Sequence, residues 1–292
     1  MSMTRIDSPS VTQRRMLVNR VMSALLFVAV ALAMIPLVLI IGETIVQGAP
    51  VISLSFLTNI PTPVGVAGGG IGPAIVGTFT MVSIATLISV PIGLAAGIYY
   101  SEWPESRLSF FSSFTNDVLA EFPSIVIGIF VYEILVLTTK TFSAVAGAIA
   151  LSIIMIPIIA RTTEESLKLV PRTLREASMA LGVSRSKTIL RVVIGTGKAG
   201  LATGILLAIA RAAGETAPLL LTALGNSFYA KGLFEPTAAL PLLIYSYGIS
   251  PYASWHADAW GAALLLVGFM LVLNLSVKLI IGRRFAGVRA EA

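Results

Sequence analysis

Apolar residues in this chain come in long unbroken blocks rather than at the spacing of a half-buried helix or strand. Val21–Ile41 carries no charged side chain, and neither does Gly72–Tyr100, which is interrupted by Pro73 and Pro91. Val118–Leu137 holds Glu121 and Glu133, Thr141–Ala160 is uncharged with Pro157 near its end, Ala199–Leu224 contains Arg211 and Glu215, and Ala259–Val277 closes the series. A helix needs about 20 apolar residues to cross a bilayer core about 30 Å thick, where lipid offers no partner to an unpaired backbone group. The pattern predicts an all-α polytopic membrane protein with six transmembrane helices. Arg14, Arg15 and Arg20 before the first block and Ala29-Val-Ala31 within it imitate a signal peptide. The run to Ile41 exceeds the roughly 7–15 residues of a signal core, so a retained helix is expected.

Composition strengthens this picture. The chain is 56% hydrophobic and 12% charged, against roughly 45–50% and about 25% in soluble domains, an excess no single soluble core can bury. Cysteine is absent and His256 is solitary, which excludes disulfides, thiol catalysis, histidine metal clusters and Ser-His-Asp chemistry. The net charge of +6 is unevenly placed. Seventeen Lys and Arg residues fall in the tail 1–20, the connection 101–117, the loop 161–198 and the C-terminal end, while Lys140 and Lys231 alone fall in the opposite connections. The positive-inside rule therefore puts both termini and the loop 161–198 in the cytoplasm, with 42–71 as an extracytoplasmic loop. That loop carries Pro50, Pro61, Pro63 and Gly68-Gly69-Gly70, which predicts irregular structure. In the other outer loop, Gly225–Asp258, the stretch Ala238–Ser246 is too short to span.

The loop 161–198 reads as two short helices. Pro171 suits a first helical turn, and Leu174, Ala177 and Leu181 then recur on one side of Arg172, Arg175 and Glu176. Gly182 supplies a break, and Ser184 is a candidate N-cap for a second helix running towards Val193. Glu176-Ala177-Ser178 followed by Gly182 resembles the E-A-A-x-x-x-G motif of ABC importer permeases, with Ser178 in place of the third-position Ala. The resemblance implies a coupling helix, including Leu181, that docks on a separate ATPase subunit. Gly195-Thr-Gly197-Lys-Ala-Gly200 fits a dinucleotide fingerprint, but the helix it would open is of membrane length and no βαβ unit surrounds it. Small residues for close helix packing are the expectation there. A P-loop is also missing, since Val192 and Ala199 stand where Gly and Ser or Thr are needed.

Arg211 and Glu215 are the principal site candidates. With a helix entering at Ala199, Arg211 lies about 18 Å along the axis, near mid-membrane, where a charge must face protein or water. Gly200, Gly204, Ala208, Arg211, Glu215, Pro218 and Thr222 share one face of such a helix. Two readings of the pair follow: an ion pair that holds helices together, or a guanidinium that lines the passage and offers a planar fork to an oxyanion, with Glu215 compensating it when empty. Glu121 and Glu133 fall on different faces of their span and are expected to seal helix contacts.

Ala210-Arg-Ala-Ala-Gly-Glu-Thr-Ala-Pro218 resembles the A-R-x-x-G-E-T-A-P signature of phosphate ABC transporter permeases. Gly69–Ile75 with Gly77-Thr78 is similar to their G-G-I-x-P-A-I-x-G-T, Pro123–Val126 with Gly128 to P-S-I-V-x-G, and Arg161–Glu165 to R-T-T-E-E. Leu240-Pro-Leu242, Tyr245, Ser250-Pro251 and Trp255 resemble the late outer loop of the PstA type. The resemblance implies the type-1 permease fold over residues 72–282 and a cytoplasmic tail over 283–292. It also implies a heterodimer with a PstC-type permease, a PstB-type ATPase dimer that binds ATP and Mg, a PstS-type phosphate-binding protein, and a bacterial or archaeal inner membrane. The chain itself would hold no cofactor or metal, catalyse nothing and bind no nucleic acid. A same-fold permease for sulfate, molybdate or a polar nutrient is the alternative, followed by an ion-coupled secondary transporter.

Overall fold

The computed structural model describes the backbone of residues 9–66 and 68–289 and the side chains of residues 13–66 and 68–276. The charges expected to anchor the tails, Arg5, Lys278, Arg283, Arg284 and Arg289, lie outside the described side chains. The chain forms α1 (Pro9–Gly48), a 3-10 turn at Ala49–Val51, α2 (Leu54–Thr58), α3 (Gly72–Glu102) and α4 (Arg107–Glu121). α5 (Ser124–Val131) passes through a π-helical stretch, Tyr132–Val136, into α6 (Leu137–Thr139), and α7 (Ala144–Lys168) follows. After α8 (Arg172–Ala180), α9 (Arg185–Lys187) runs through a second π-helical stretch, Thr188–Val193, into α10 (Ile194–Ala213). α11 (Ala217–Thr222), α12 (Leu240–Gly248) and α13 (Ala253–Arg289) complete the fold. Among the described residues the only β pairing is an isolated bridge, Leu224 with Thr237.

Among the described residues, five helices are long and apolar enough to cross a membrane: Gln13–Val51, Gly72–Glu102, Ala144–Lys168, Arg185–Ala213 and Ala253–Ser276. A sixth span is supplied if the bent pair Arg107–Glu121 and Ser124–Thr139 counts as one. The straight helix expected over Val118–Leu137 is thus a bend of 103°. Pro123 causes it: its ring bars the residue before it from the helical region, and Phe122 is extended at φ −65° and ψ 134°. The connection expected at 101–117 is correspondingly short, because α4 begins at Arg107.

α3 and α7 make the most extensive helix pair, α7 also carries α10, and α1 lies mainly along α13. Without a hydrophobic drive in lipid, such pairs depend on close packing through small residues. Gly93 is one: a Cβ there would meet Ile159 Cβ at 2.7 Å. The buried core between these helices is built from Met81, Ala85, Leu151, Met155 and Ile159. At the end of the bundle holding α2 and α12, Thr78 Oγ1 accepts a 2.8 Å bond from the Leu240 amide, so α3 caps the start of α12. Ser143 caps α7 through the Ala146 amide, and Tyr229 O–H donates to the Thr58 carbonyl. The predicted sub-span segment Ala238–Ser246 is the short helix α12, buried at Leu240–Leu243.

Candidate functional site

The helix expected from Ala199 to Leu224 is divided. α10 stops at Ala213, and α11 restarts at Ala217. In a continuous helix the Pro218 ring would collide with the Gly214 carbonyl, four residues back. The chain instead tightens its last turn, with Gly214 N–H on Arg211 O at 3.1 Å and Glu215 N–H on Ala212 O at 3.2 Å. Arg211 therefore sits in the final turn of a helix that began at Arg185, about 39 Å along the axis from that start, not midway. Its cation stands where helix carbonyls run out of amide partners, the favourable end for positive charge.

Arg211 and Glu215 do meet, at 3.4 Å between Nε and Oε1, a long contact compared with the usual 2.7–3.2 Å or so. The arginine side chain is 54% exposed and the carboxylate 15%. Among the described residues the guanidinium makes no other hydrogen bond, leaving most of its five donors available. It faces a narrow crevice formed with the α4–α5 bend, lined by Phe122, Ser124, Ile127, Ile154 and Ile158 among others.

The small-residue stripe leading to Arg211 has a different role from the one its face suggests. Gly200 abuts Ser166, Gly204 abuts Thr162 and Ala208 is buried, so this part of the stripe is the α7–α10 contact rather than a pore lining. The glycine-rich run Gly195–Gly200 lies wholly inside α10 and follows the π-helical stretch Thr188–Val193, not a strand. Two motifs that are distant in sequence come together at the break: a Cβ on Gly128 would meet Pro218 Cα at 2.7 Å. Arg161 bonds Glu164 and Glu165 at 3.2 and 3.1 Å, and Lys168 bonds Glu164 at 2.6 Å, which neutralises the R-T-T-E-E stretch within its own helix. Glu121 and Glu133 are both exposed, with no ion partner among the described residues.

The polar loop takes the expected two-helix form, although Ser184 holds the N-cap position of α9 without a side-chain cap bond. α8 begins after Pro171, and it ends in a Schellman turn with Gly182 at φ +79°. Gly182 N–H bonds Met179 O at 2.9 Å and Val183 N–H bonds Ser178 O at 3.3 Å, which ties off two free carbonyls. Glu176 and Ala177 face outward, and Leu181 is 85% exposed beside exposed Leu174 and Met179. An apolar face on an otherwise polar knob has no partner within the described chain. Ser178 points the other way and is buried, its Oγ 2.9 Å from Thr188 Oγ1, so the third motif position joins the two arms of the knob.

Sequence reasoning missed a further pair of arginines. Arg175 Nη2 and Nε reach Glu102 Oε1 at 3.0 and 3.2 Å, and Arg185 Nη2 reaches the Glu102 carbonyl at 2.9 Å. Glu102 is the last residue of α3. Its position at the last residue of a helix, where a carboxylate opposes the helix dipole, was the available signal that a cation comes to it. Among the described residues no three His, Asp or Glu side chains converge as a metal would need.

The model of the family "binding-protein-dependent transport system inner membrane component" matches residues 89–286. The phosphate transport system permease protein PstA of Haemophilus influenzae is 42% identical over 262 residues, covering 89% of this chain and 93% of that protein. A probable phosphate transport system permease protein PstA from Methanocaldococcus jannaschii is 39% identical, covering 90% and 94%. The MetNI methionine ABC transporter, solved in inward-facing conformations, superposes with a TM-score of 0.59 at 20% identity over 73% of this chain and 94% of that one. An amino acid ABC transporter superposes with a TM-score of 0.51 at 15% identity and the same coverage.

Proposed function

The chain belongs to the binding-protein-dependent transport system inner membrane component family, and from that membership we propose that it is the PstA-type permease subunit of an ATP-driven inorganic phosphate importer. It is a multi-pass membrane protein with the ABC importer permease fold, a class that works with an ATPase and a substrate-binding protein. In the finer reading, those partners are a PstB-type ATPase dimer and a PstS-type binding protein, with a PstC-type permease as the other half of the passage. Relatives from a bacterium and from Methanocaldococcus jannaschii support a bacterial or archaeal inner membrane. Both termini and the knob then face the cytoplasm.

The observation that carries the substrate reading is Arg211: half-exposed, at the end of a broken helix, and held by a single long bond to Glu215. Such a guanidinium has donors to offer a tetrahedral oxyanion. A cation with no counter-charge would hold phosphate too firmly to release it; Glu215 competes for the same donors and weakens that hold. Glu176, Ala177, Leu181 and Gly182 present the outer surface of the knob to the ATPase, while Ser178 braces it from inside. ATP and Mg belong to the ATPase, and this chain supplies passage and coupling without covalent chemistry. Alternating access follows: ATPase closure moves the knob, and the helices behind it expose Arg211 to either side in turn.

The test is ATP-dependent uptake of labelled phosphate and sulfate by the reconstituted complex, comparing the parent with Arg211→Ala and Glu176→Lys. Phosphate-selective uptake that is lost in Arg211→Ala with assembly intact, and loss of the ATPase from Glu176→Lys, is the expected result. Unchanged uptake in Arg211→Ala would make the charged pair structural. Uptake of sulfate but not phosphate would overturn the substrate.

A further inference from the structure

The end of α3 is gripped by both arms of the knob. Arg175 comes from α8, on one side of the Gly182 turn, and Arg185 from α9, on the other. The Arg175 guanidinium makes four hydrogen bonds: two to Glu102 Oε1, one to Val170 O at 2.5 Å and one to Leu167 O at 3.0 Å. Arg175 is 17% exposed and the Glu102 carboxylate 6%, so this is an enclosed pair and not a surface one. One planar fork thus joins the Leu167 carbonyl in the last turn of α7, the Val170 carbonyl just after it, the last side chain of α3 and the body of α8. Arg185 adds a bond to the Glu102 carbonyl and lies 4.8 Å from the Trp103 ring centroid, a cation–π distance. Trp103 stacks in turn on Tyr99 with centroids 5.5 Å apart, and Tyr99 O–H pairs with Ser106 at 2.8 Å.

Covalent continuity already carries motion from α9 into α10, because the π-helical stretch joins them without a loop. Nothing covalent carries motion from α8 to α3, which lies 70 residues earlier in the chain. Resting on the permease reading above, we propose that the Arg175–Glu102 clamp is the transmission joint of this subunit: Arg175 and Glu102 are positioning residues that make α8, the end of α7 and the end of α3 move as one body when the ATPase closes. The enclosed pair resists parting, since separating it would leave a carboxylate and a guanidinium in a site with little water. The α3–α7 pair, the most extensive in the fold, then conveys the displacement along the membrane.

The chain has no native cysteine, which permits a clean test in the whole reconstituted complex. Arg175→Ala and Glu102→Gln should each retain the ATPase subunits and binding-protein-stimulated ATP hydrolysis, but raise ATP consumed per phosphate imported by at least about tenfold, a lower bound set below the full cost of losing one partner of an enclosed ion pair. The double variant Arg175→Cys with Glu102→Cys should be uncoupled in the same way, and bridging its thiols with a short bis-methanethiosulfonate reagent should restore the parent ratio. An unchanged ratio in Arg175→Ala would overturn the clamp, as would a bridged variant whose uptake is blocked, because that would mean the two helices slide during transport. Absence of ATP-driven phosphate uptake in the parent complex would instead overturn the permease reading on which the clamp rests.

Discussion

Gly128 and Pro218 bring the α4–α5 bend against the break that carries Glu215, and replacing Gly128 with Ala tests how rigid that junction is. The added methyl would stand 2.7 Å from Pro218 Cα and 3.3 Å from Pro218 O. Carbon atoms pack at about 3.5–4.0 Å, so α5 and α11 must part by about 1 Å. Pro218 offers no flexible side-chain end to swing aside. Overpacking of this kind costs about 1–3 kcal/mol, offset by the roughly 1 kcal/mol that Ala gains over Gly in a helix interior. Gly195 provides the control, because it is also helical but a Cβ there meets nothing within 4 Å. Gly195→Ala keeps the propensity gain alone. The two variants should therefore differ by about 1–3 kcal/mol, or about 5- to 150-fold in the unfolding equilibrium. The assay is denaturant unfolding of the purified subunit in detergent, followed by circular dichroism, with phosphate uptake of the complex measured alongside. Gly128→Ala should be the less stable and the slower. If the two variants are equally stable and transport equally well, Pro218 yields readily and the junction is not what holds Glu215 in place.

Thr78→Val should cost about 1–3 kcal/mol in the same unfolding assay, because the buried Leu240 amide loses its acceptor, whereas Thr78→Ser should stay near the parent. Gly182→Ala meets open space but must keep φ +79°, so a purely conformational cost of about 1–2 kcal/mol is expected. It should appear as weakened retention of the ATPase in affinity capture, with Gly182→Asn recovering most of it. Glu215→Gln removes the competitor for the Arg211 donors, and uptake kinetics should show a lower half-saturation concentration together with a lower maximal rate. Unchanged kinetics would mean that the carboxylate does not modulate the site.

Much of the architecture is legible before folding. A span must satisfy its own backbone in lipid, so length and hydropathy locate membrane helices locally, and five of the expected spans appear as long apolar helices. Capping is local too: Pro171 and Gly182 bound α8 where their chemistry says a helix starts and stops. The bend at Phe122–Pro123 was readable in principle, yet a proline in an apolar run is compatible with either a kinked span or a broken one. Only neighbours decide between them. The same ambiguity hid the break at Gly214–Thr216, since Pro218 in α11 is stabilised there by packing against Gly128.

The sequence by itself determined the helices, the polarity of the knob and the residues that had to be shielded from lipid, because those follow from each segment's own contact with its solvent. Only the tertiary structure decided that Gly200 and Gly204 serve the α7 contact, that Arg211 closes a helix and faces the bend, and that Arg175 meets Glu102 across 73 residues. Periodicity tells which face of a helix is small or charged, but the partner of that face is set by how whole helices pack, and no local pattern carries that information.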